Sequence, residues 1–399
     1  MTEQMNVPKL RFGEFKGEWS TKKVKDICPL QRGFDLPTTQ VVTGEYPVVY
    51  SNGIGRFHAE YKVKAPGIVT GRSGTIGNLT LVEHDYWPHN TSLWVTNFFD
   101  NDVKFIFYLL NKLDLKRFST GSGVPTLNRN DVHDHKATVP NPREQQKVAS
   151  FLSKVDEKIA LLTEKKDKLT EYKKGVMQQL FNGSFQQQDG QLTFIPPTLR
   201  FKADDGSEFP DWVEIELGKL SKKSTVKNKD NSVSAVLTNS ATQGIISQAD
   251  YFDRDIANQS NLDGYYVVNP DDFVYNPRIS IPAPVGPINR NKIDVGVMSP
   301  LYTVFSVKKG LNLSYLEYFF KTTNWHRYMN SIANFGARHD RMNITTSDFF
   351  KMPIPVPCIA EQNKIVYFVS SIDQKIDLAN SELEKAKEWK KGLLQQMFV

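Results

Sequence analysis

Thirty-eight residues from the middle of this chain recur at its end. With Glu144 set against Glu361, a constant offset of 217, 17 of the 38 gap-free pairs up to Phe181/Phe398 are identical. EQQKVASFLSKVDEKIALL faces EQNKIVYFVSSIDQKIDLA, and EYKKGVMQQLF faces EWKKGLLQQMF. Chance does not produce this, so the chain must fold as a duplicated object. Each copy reads as a helix. Val148, Leu152, Val155, Ile159, Leu162, Leu169, Val176 and Leu180 follow an alternating 4-3 spacing, interrupted by Lys166 and Lys173. Ile365, Val369, Ile372, Ile376, Ala379, Leu383, Ala386, Leu393 and Met397 keep the same register, with Lys390 as the sole charge. A period of 3.5 holds one apolar stripe against one partner over many turns. At ~1.5 Å per residue such a helix reaches about 57 Å, too long for one compact core to cover.

The stripes complement each other. Leu162 and Leu169 stand where the second copy has Ala379 and Ala386, and Lys166 stands where it has Leu383. This predicts that the helices pair with each other instead of each packing on its own domain. The chain path makes the pair antiparallel: the first helix carries the chain from one globular part to the next, and the second returns.

The globular parts repeat more loosely. LRFGEFKGEW ends at Trp19 and LRFKADDGSEFPDW ends at Trp212. Both parts close with a helix-like stretch (VKFIFYLLNKLDLKRF; LNLSYLEYFFKTTNWHRYMN), then a Gly-containing loop aligned on Asn128 or Asn343, then a Pro-rich exit (ATVPNP; KMPIPVP). Proline just ahead of each long helix fits a rigid first turn. Between these landmarks lie short β-like runs, YPVVY, NLTLVE, SLWVTN, FVYN and LYTVFSV, which barely align between the copies. The expected fold class is α+β: two mixed α/β domains separated by a long antiparallel two-helix coiled coil, with an internal pseudo-two-fold duplication. The expected boundaries are 1–141 for the first domain, 142–183 for the central helix, 184–357 for the second domain and 358–399 for the last helix.

Chemistry of the familiar catalytic kinds is missing. There is no GxxxxGK[ST] loop and no HExxH. Gly71–Asn78, GRSGTIGN, has GxxGxxG spacing, which turns between strands explain without a cofactor. No Asn/Asp-Pro-Pro-aromatic segment offers the grip of an amino-methyltransferase; NPR occurs at Asn141 and Asn276 with Arg third. In DVHDHK, His133 and His135 have two Asp nearby, but the segment reads as a strand leading into VPNP and nothing else converges on it. Two distant cysteines, Cys28 and Cys358, give neither a disulfide framework nor a zinc ribbon and fit a reducing compartment. No apolar leader and no run of 18 apolar residues appears, so a cytoplasmic protein with no membrane partner is expected. A net charge of +6 is compatible with a nucleic-acid partner without requiring one.

Two dissimilar domains, each followed by a copy of one helix, resemble the DNA-specificity subunit of type I restriction-modification enzymes. The wording that carries the resemblance is VPNPREQQKVASFL, VPCIAEQNKIVYFV, KKGVMQQLF and KKGLLQQMF, with RSGTIGN and the Asn-centred loops as supporting features. The resemblance covers the whole chain. It implies a non-catalytic subunit in which each variable domain reads one part of a split, asymmetric double-stranded DNA site. It further implies paired helices that set the gap and dock two identical methyltransferase subunits, with restriction (motor and nuclease) subunits as further partners. No cofactor is expected on this chain; S-adenosylmethionine, ATP and Mg would lie on partner subunits. A structural adaptor spacing two protein-binding domains, and a self-contained modification enzyme, are the rival readings.

Candidate DNA contacts follow from side-chain chemistry: an Arg fork suits guanine, Asn or Gln suits adenine, and Ser, Thr and Lys suit phosphate. In the first domain they are Gln31, Arg32, Arg72, Ser73, Thr75, Ser122, Asn128 and Arg129. In the second they are Lys222, Lys223, Asn239, Gln243, Asn276, Arg278, Arg338, His339 and Arg341.

Overall fold

The computed structural model describes residues 6–120, 125–188, 191–248, 262–333 and 340–399. The chain divides into two compact units, one made of Met1–Lys166 with Leu378–Val399 and the other of Asp167–Asp377. Two long helices, Pro142–Phe181 and Ile359–Gln396, contribute to both. The first unit therefore holds the start of the first helix and the end of the second, and the second unit holds the reverse.

The first helix starts where local chemistry says it should. Asn141 accepts a hydrogen bond from the Glu144 amide at 3.0 Å, and Pro142 takes the first helical position, where its missing N–H costs nothing. The predicted stripe is the buried one. In the first unit Val148, Leu152 and Val155 share a core with Leu393, Met397 and Phe398; in the second Val176, Leu180 and Phe181 share one with Ile365 and Val369. Lys165 meets Glu382 at 3.5 Å and Asp156 meets Lys390 at 2.5 Å in the first unit, so the two segments run antiparallel.

The lysines that interrupt the stripes have partners. Lys390 pairs with Asp156, which also accepts from Tyr108 Oη at 2.7 Å, and Lys390 lies 5.6 Å over the Tyr108 ring. The second unit repeats this: Lys173 pairs with Asp373 at 2.5 Å, Asp373 accepts from Tyr318 Oη at 3.0 Å, and Lys173 lies 5.6 Å over Tyr318. A cation on the apolar seam is tolerated because carboxylate and ring face it together.

The Glu-Gln pair that opens each repeat is buried for a reason. Glu144 accepts a two-pronged bond from Arg11, at 2.7 and 2.8 Å, and one from Trp19 Nε1 at 3.2 Å. Glu361 does the same with Arg200, at 3.0 and 2.8 Å, and with Trp212 Nε1 at 3.0 Å. Gln145 accepts from the Asp102 amide at 3.0 Å and Gln362 from the Asn312 amide at 2.8 Å. Each thereby ties a long helix to the start of the shorter helix Val103–Leu113 or Leu313–Phe320. The LRF…W wording of the sequence thus reads as the other half of these locks.

The duplication also extends into the β-like middles, where the sequences scarcely align. The first unit has a four-stranded antiparallel sheet ordered Leu30–Arg32, Ser92–Val95, Gly67–Gly71, Leu79–Val82. The second has the same order with Ser221–Lys223, Thr303–Val307, Phe273–Tyr275, Ile288–Arg290. Outside them, Ser20–Lys23 pairs antiparallel with Lys136–Val139, and Val213–Glu216 with Pro353–Val356. Strands of three to five residues with generic Val/Ile/Phe content keep their pattern while losing their identities. Among the described residues no helix is long and apolar enough to cross a membrane.

One expectation is corrected. Arg129–Asp134 is a short helix, so the strand begins only at Lys136. His133 Nε2 accepts from the Leu30 amide at 2.8 Å and His135 faces Arg117, which leaves neither arranged as a metal ligand.

Candidate nucleic-acid interface

In each unit most of the described polar candidates, Lys222 excepted, collect at one end of the central sheet. The first unit's Gln31 and Arg32 are exposed on the last residues of their strand. Arg72 and Ser73 follow directly on Gly67–Gly71, whose final residue pairs with Ser92. The turn His89–Ser92 lies between them: Arg32 Nε donates to the Asn90 carbonyl at 3.4 Å, and the Arg72 amide donates to the Thr91 carbonyl at 3.0 Å. His89 packs against Tyr50 with the rings tilted by 39° and their centres 4.4 Å apart, and burial lowers its pKa.

The GRSGTIGN loop is a tight hairpin connection. Gly74 and Gly77 adopt positive φ (+79° and +71°), and a Cβ on Gly71 would sit 1.8 Å from the Thr75 carbonyl. This close packing brings Arg72 and Ser73 against the next segment. Ser73 bridges to Thr126, and the Leu127 amide donates to the Arg72 carbonyl at 2.8 Å. Asn128 and Arg129 come next, so Arg72, Ser73, Asn128 and Arg129 form one cluster. Thr75 is exposed on the same loop. Asn128 also caps the short helix, its carbonyl oxygen accepting from the Asn130 amide at 3.0 Å.

The second unit builds the same corner with other residues. The Met342 amide donates to the Pro277 carbonyl at 2.9 Å, matching Leu127 and Arg72, and Arg278 bridges to Arg341. Here a cleft of about 440 Å³ opens, lined by Asn239, Ser240, Asn276 and Arg278 with Gln248 and Tyr302. Arg278 is exposed, and Arg341 Nε lies 3.8 Å from its nearest paired carboxylate, that of Asp340, beyond hydrogen-bond reach. Two guanidinium-bearing residues held together by their backbones make a place for an anion. Lys222 is exposed but pairs with Ser306, toward the other end of the sheet from Tyr275, and Lys223 donates to Thr346 at 3.1 Å. Gln243 is exposed on the turn between Leu237–Ser240 and Gly244–Ser247.

Two candidates are buried and bonded to the framework. Asn239 is buried, with Nδ2 donating to the carbonyls of Val274 (2.7 Å) and Pro287 (3.3 Å) and Oδ1 accepting from Asn289 at 2.7 Å. Asn276, also buried, donates to the Asn239 carbonyl at 3.0 Å and accepts from the Arg278 amide at 3.0 Å. Their amides line the cleft floor, and Asn276 holds the Arg278 backbone. Ser122, Arg338 and His339 lie outside the described residues. Sequence reasoning passed over Tyr302 and Gln248, and the Asn90 turn. Each enters its corner from a separate loop and carries no local signal.

Residues 16–171 and 209–388 match the family described as type I restriction modification DNA specificity domain. The chain belongs to that family of DNA-specificity subunits. It is 23% identical over 438 residues to a chain assigned as the type I restriction enzyme MjaX specificity subunit of Methanocaldococcus jannaschii, covering 100% of this chain and 96% of that one. It is 24% identical to the MjaVIII specificity subunit of the same organism over 75% of this chain and 70% of that one. Its fold is similar to that of the type I restriction-modification system S subunit from M. genitalium, with TM-score 0.57 and 14% identity over 98% of this chain and 99% of the other. A second solved chain, from work on complex assembly and conformational transition of the type I system, gives TM-score 0.52 and 15% identity over 95% and 97%.

Proposed function

We propose that this specificity subunit selects a split DNA site in which each unit reads one part, that the paired helices set the gap, and that the subunit holds two methyltransferase subunits. Restriction subunits complete the assembly, and the cofactors of methylation and translocation are carried by those partners. The reading places the protein in the cytoplasm, with DNA.

The observation that carries it is a shared frame with unlike tips. Both units have the same sheet order, the same Arg–Glu–Trp lock and the same backbone pairing behind the Arg72 or Arg278 loop. The side chains at the sheet end differ between the units. Duplicating a reader while changing its contacts is what a site with two different parts requires. Arg72, Arg129, Arg278 and Arg341 are the guanidinium groups of those ends, suited to guanine edges or phosphates.

The test is substitution at one unit at a time, with methylation of a library of sites as readout. Arg278→Ala should relax or weaken one part of the motif, with about 1–3 kcal/mol lost for a base contact, while the other part stays intact. Arg72→Ala should do the converse. Equal loss at both parts would count against independent readers.

A further inference from the structure

The corner that carries Arg278 follows the same plan as the one that carries Arg72, but its loop is longer. In the first unit the Gly71 amide donates to the Asn78 carbonyl at 3.1 Å and closes a loop of six residues, 72–77. In the second the Asn276 amide donates to the Pro287 carbonyl at 2.9 Å and closes a loop of ten, 277–286. The closing turns match: Ile76 and Val285 are buried, and Gly77 and Gly286 follow them at φ +71° and +79°. The extra length goes into a tight turn. Ser280 and Ala283 exchange two backbone hydrogen bonds of 3.0 Å, with Ile281 and Pro282 at the tip.

Folding does not explain that tip. Ile281 is 101% exposed, while no other large hydrophobic among the described residues exceeds 79%. Its side chain is buried against nothing, and Pro282 beside it is exposed as well. A loose loop could lay such a side chain back on the surface, but this loop is held. Pro282 and Pro284 fix their own φ, and the Gly286 amide donates to the Ala283 carbonyl at 3.0 Å. The Ile279 amide donates to the Asp340 carbonyl at 3.1 Å, which ties the base of the loop to the next segment.

The charge around the tip indicates what meets it. Arg278 is exposed three residues earlier on the same loop. Arg341, which bridges to it, has a buried Nε with no hydrogen-bond partner among the described residues. An apolar tip framed by guanidinium groups suits a polyanion with an apolar interior, and stacked bases inside a phosphate backbone are that. Isoleucine and proline are both among the side chains that wedge between base steps. We infer that the Ile281–Pro282 tip enters duplex DNA as an apolar wedge, partly unstacking one base step in the part read by the second unit and kinking it there. Such a wedge selects by deformability, which favours pyrimidine–purine steps. The first unit's shorter loop, with Thr75 exposed and Ile76 buried, carries no apolar tip, so its part of the site stays straight at that position. The inference rests on the proposed function and names how one of the two parts is read.

The experiment uses the complex of the full chain with its methyltransferase subunit, on duplexes carrying the mapped site. Donor and acceptor dyes flank each part of the site in turn, so that energy transfer reads the local bend, and titration at one salt concentration reads affinity. The wild-type complex should kink one part, the part that Arg278→Ala weakens. Ile281→Ser should leave the melting temperature unchanged, because the side chain touches nothing, yet abolish that kink and lower affinity at least tenfold. Ile281→Leu should restore both. A kink that persists in Ile281→Ser, with or without lost affinity, overturns the wedge, and so does a wild-type complex that leaves both parts straight. In either case the site is still split and the proposed function stands. A wild-type complex that selects no split site overturns both.

Discussion

At the scale of single residues, the strongest statements concern groups with nowhere else to go. Glu144 and Glu361 are at most 1% exposed, and among the described residues their charge is matched by Arg11 and Arg200 and by the indole N–H of Trp19 and Trp212. Removing the cation leaves a buried carboxylate uncompensated, which costs about 3–5 kcal/mol. Arg11→Ala and Arg200→Ala should each lower the urea midpoint by a corresponding amount. A loss under ~1 kcal/mol would mean that water reaches the carboxylate. Histidines give a pH dependence of known sign. Burial lowers the pKa of His133, His135 and His326 below the ordinary 6.5. As pH falls through about 6.5 the unfolded chain takes up these protons first, so stability drops, and the drop ends once pH passes below the lowered folded values. Denaturant melts at successive pH values should slope downward in that acid window, and His133→Gln should flatten part of the slope. Cys28, by contrast, is inert at neutral pH, its thiol pushed up to about 12 by burial.

At the scale of elements, each unit depends on the far end of the other repeat's helix. Phe398 packs on Trp19 and Phe105 in the first unit, with ring centres 6.2 and 5.2 Å apart, and Phe181 packs on Tyr315 at 5.3 Å in the second. Phe398→Ala should therefore destabilise the first unit by about 3–5 kcal/mol, although it lies at the end of the chain. Hydrogen exchange would locate the damage in residues of the first unit's core. Uniform loss across both units would show that they melt as one. The helices were legible in the sequence because a 4-3 spacing sustained over ten turns is a strong periodic signal, and so were the strands YPVVY, SLWVTN and LYTVFSV. The matching sheet order was not. Strand pairing is non-local, and three-residue strands such as Leu30–Arg32 and Ser221–Lys223 share no residue pattern that could announce it. The helix Arg129–Asp134 was hidden for the opposite reason. Five of its six residues are polar and the helix is set by the Asn128 cap, so the lone Val132 marks no apolar period.

Site legibility follows the same logic. Arg72, Arg278 and Arg341 were readable as loop arginines, and they gather at the sheet ends, Arg278 exposed and the other two half-buried. Asn239 and Asn276 have the same side-chain chemistry as a base-reading Asn, and only the fold reveals that their amides are spent on the backbone of neighbouring strands.

At the scale of the whole molecule, the proposed role of the long helices as a spacer is testable by length. Four residues inserted in register into both long helices add about 6 Å of rise, close to two base pairs of duplex. The gap in the methylated motif should lengthen by about one or two base pairs while both parts keep their bases. An unchanged gap would remove the helices from any role in spacing. Selection of a split site is tested most directly by mapping methylated adenines in cells that express this chain with its methyltransferase subunit, against cells that lack it. The expected result is one new motif of two unlike parts around a fixed gap, methylated on both strands and lost when this chain is withdrawn. A contiguous motif, or no new motif from a complex shown to assemble, would contradict it.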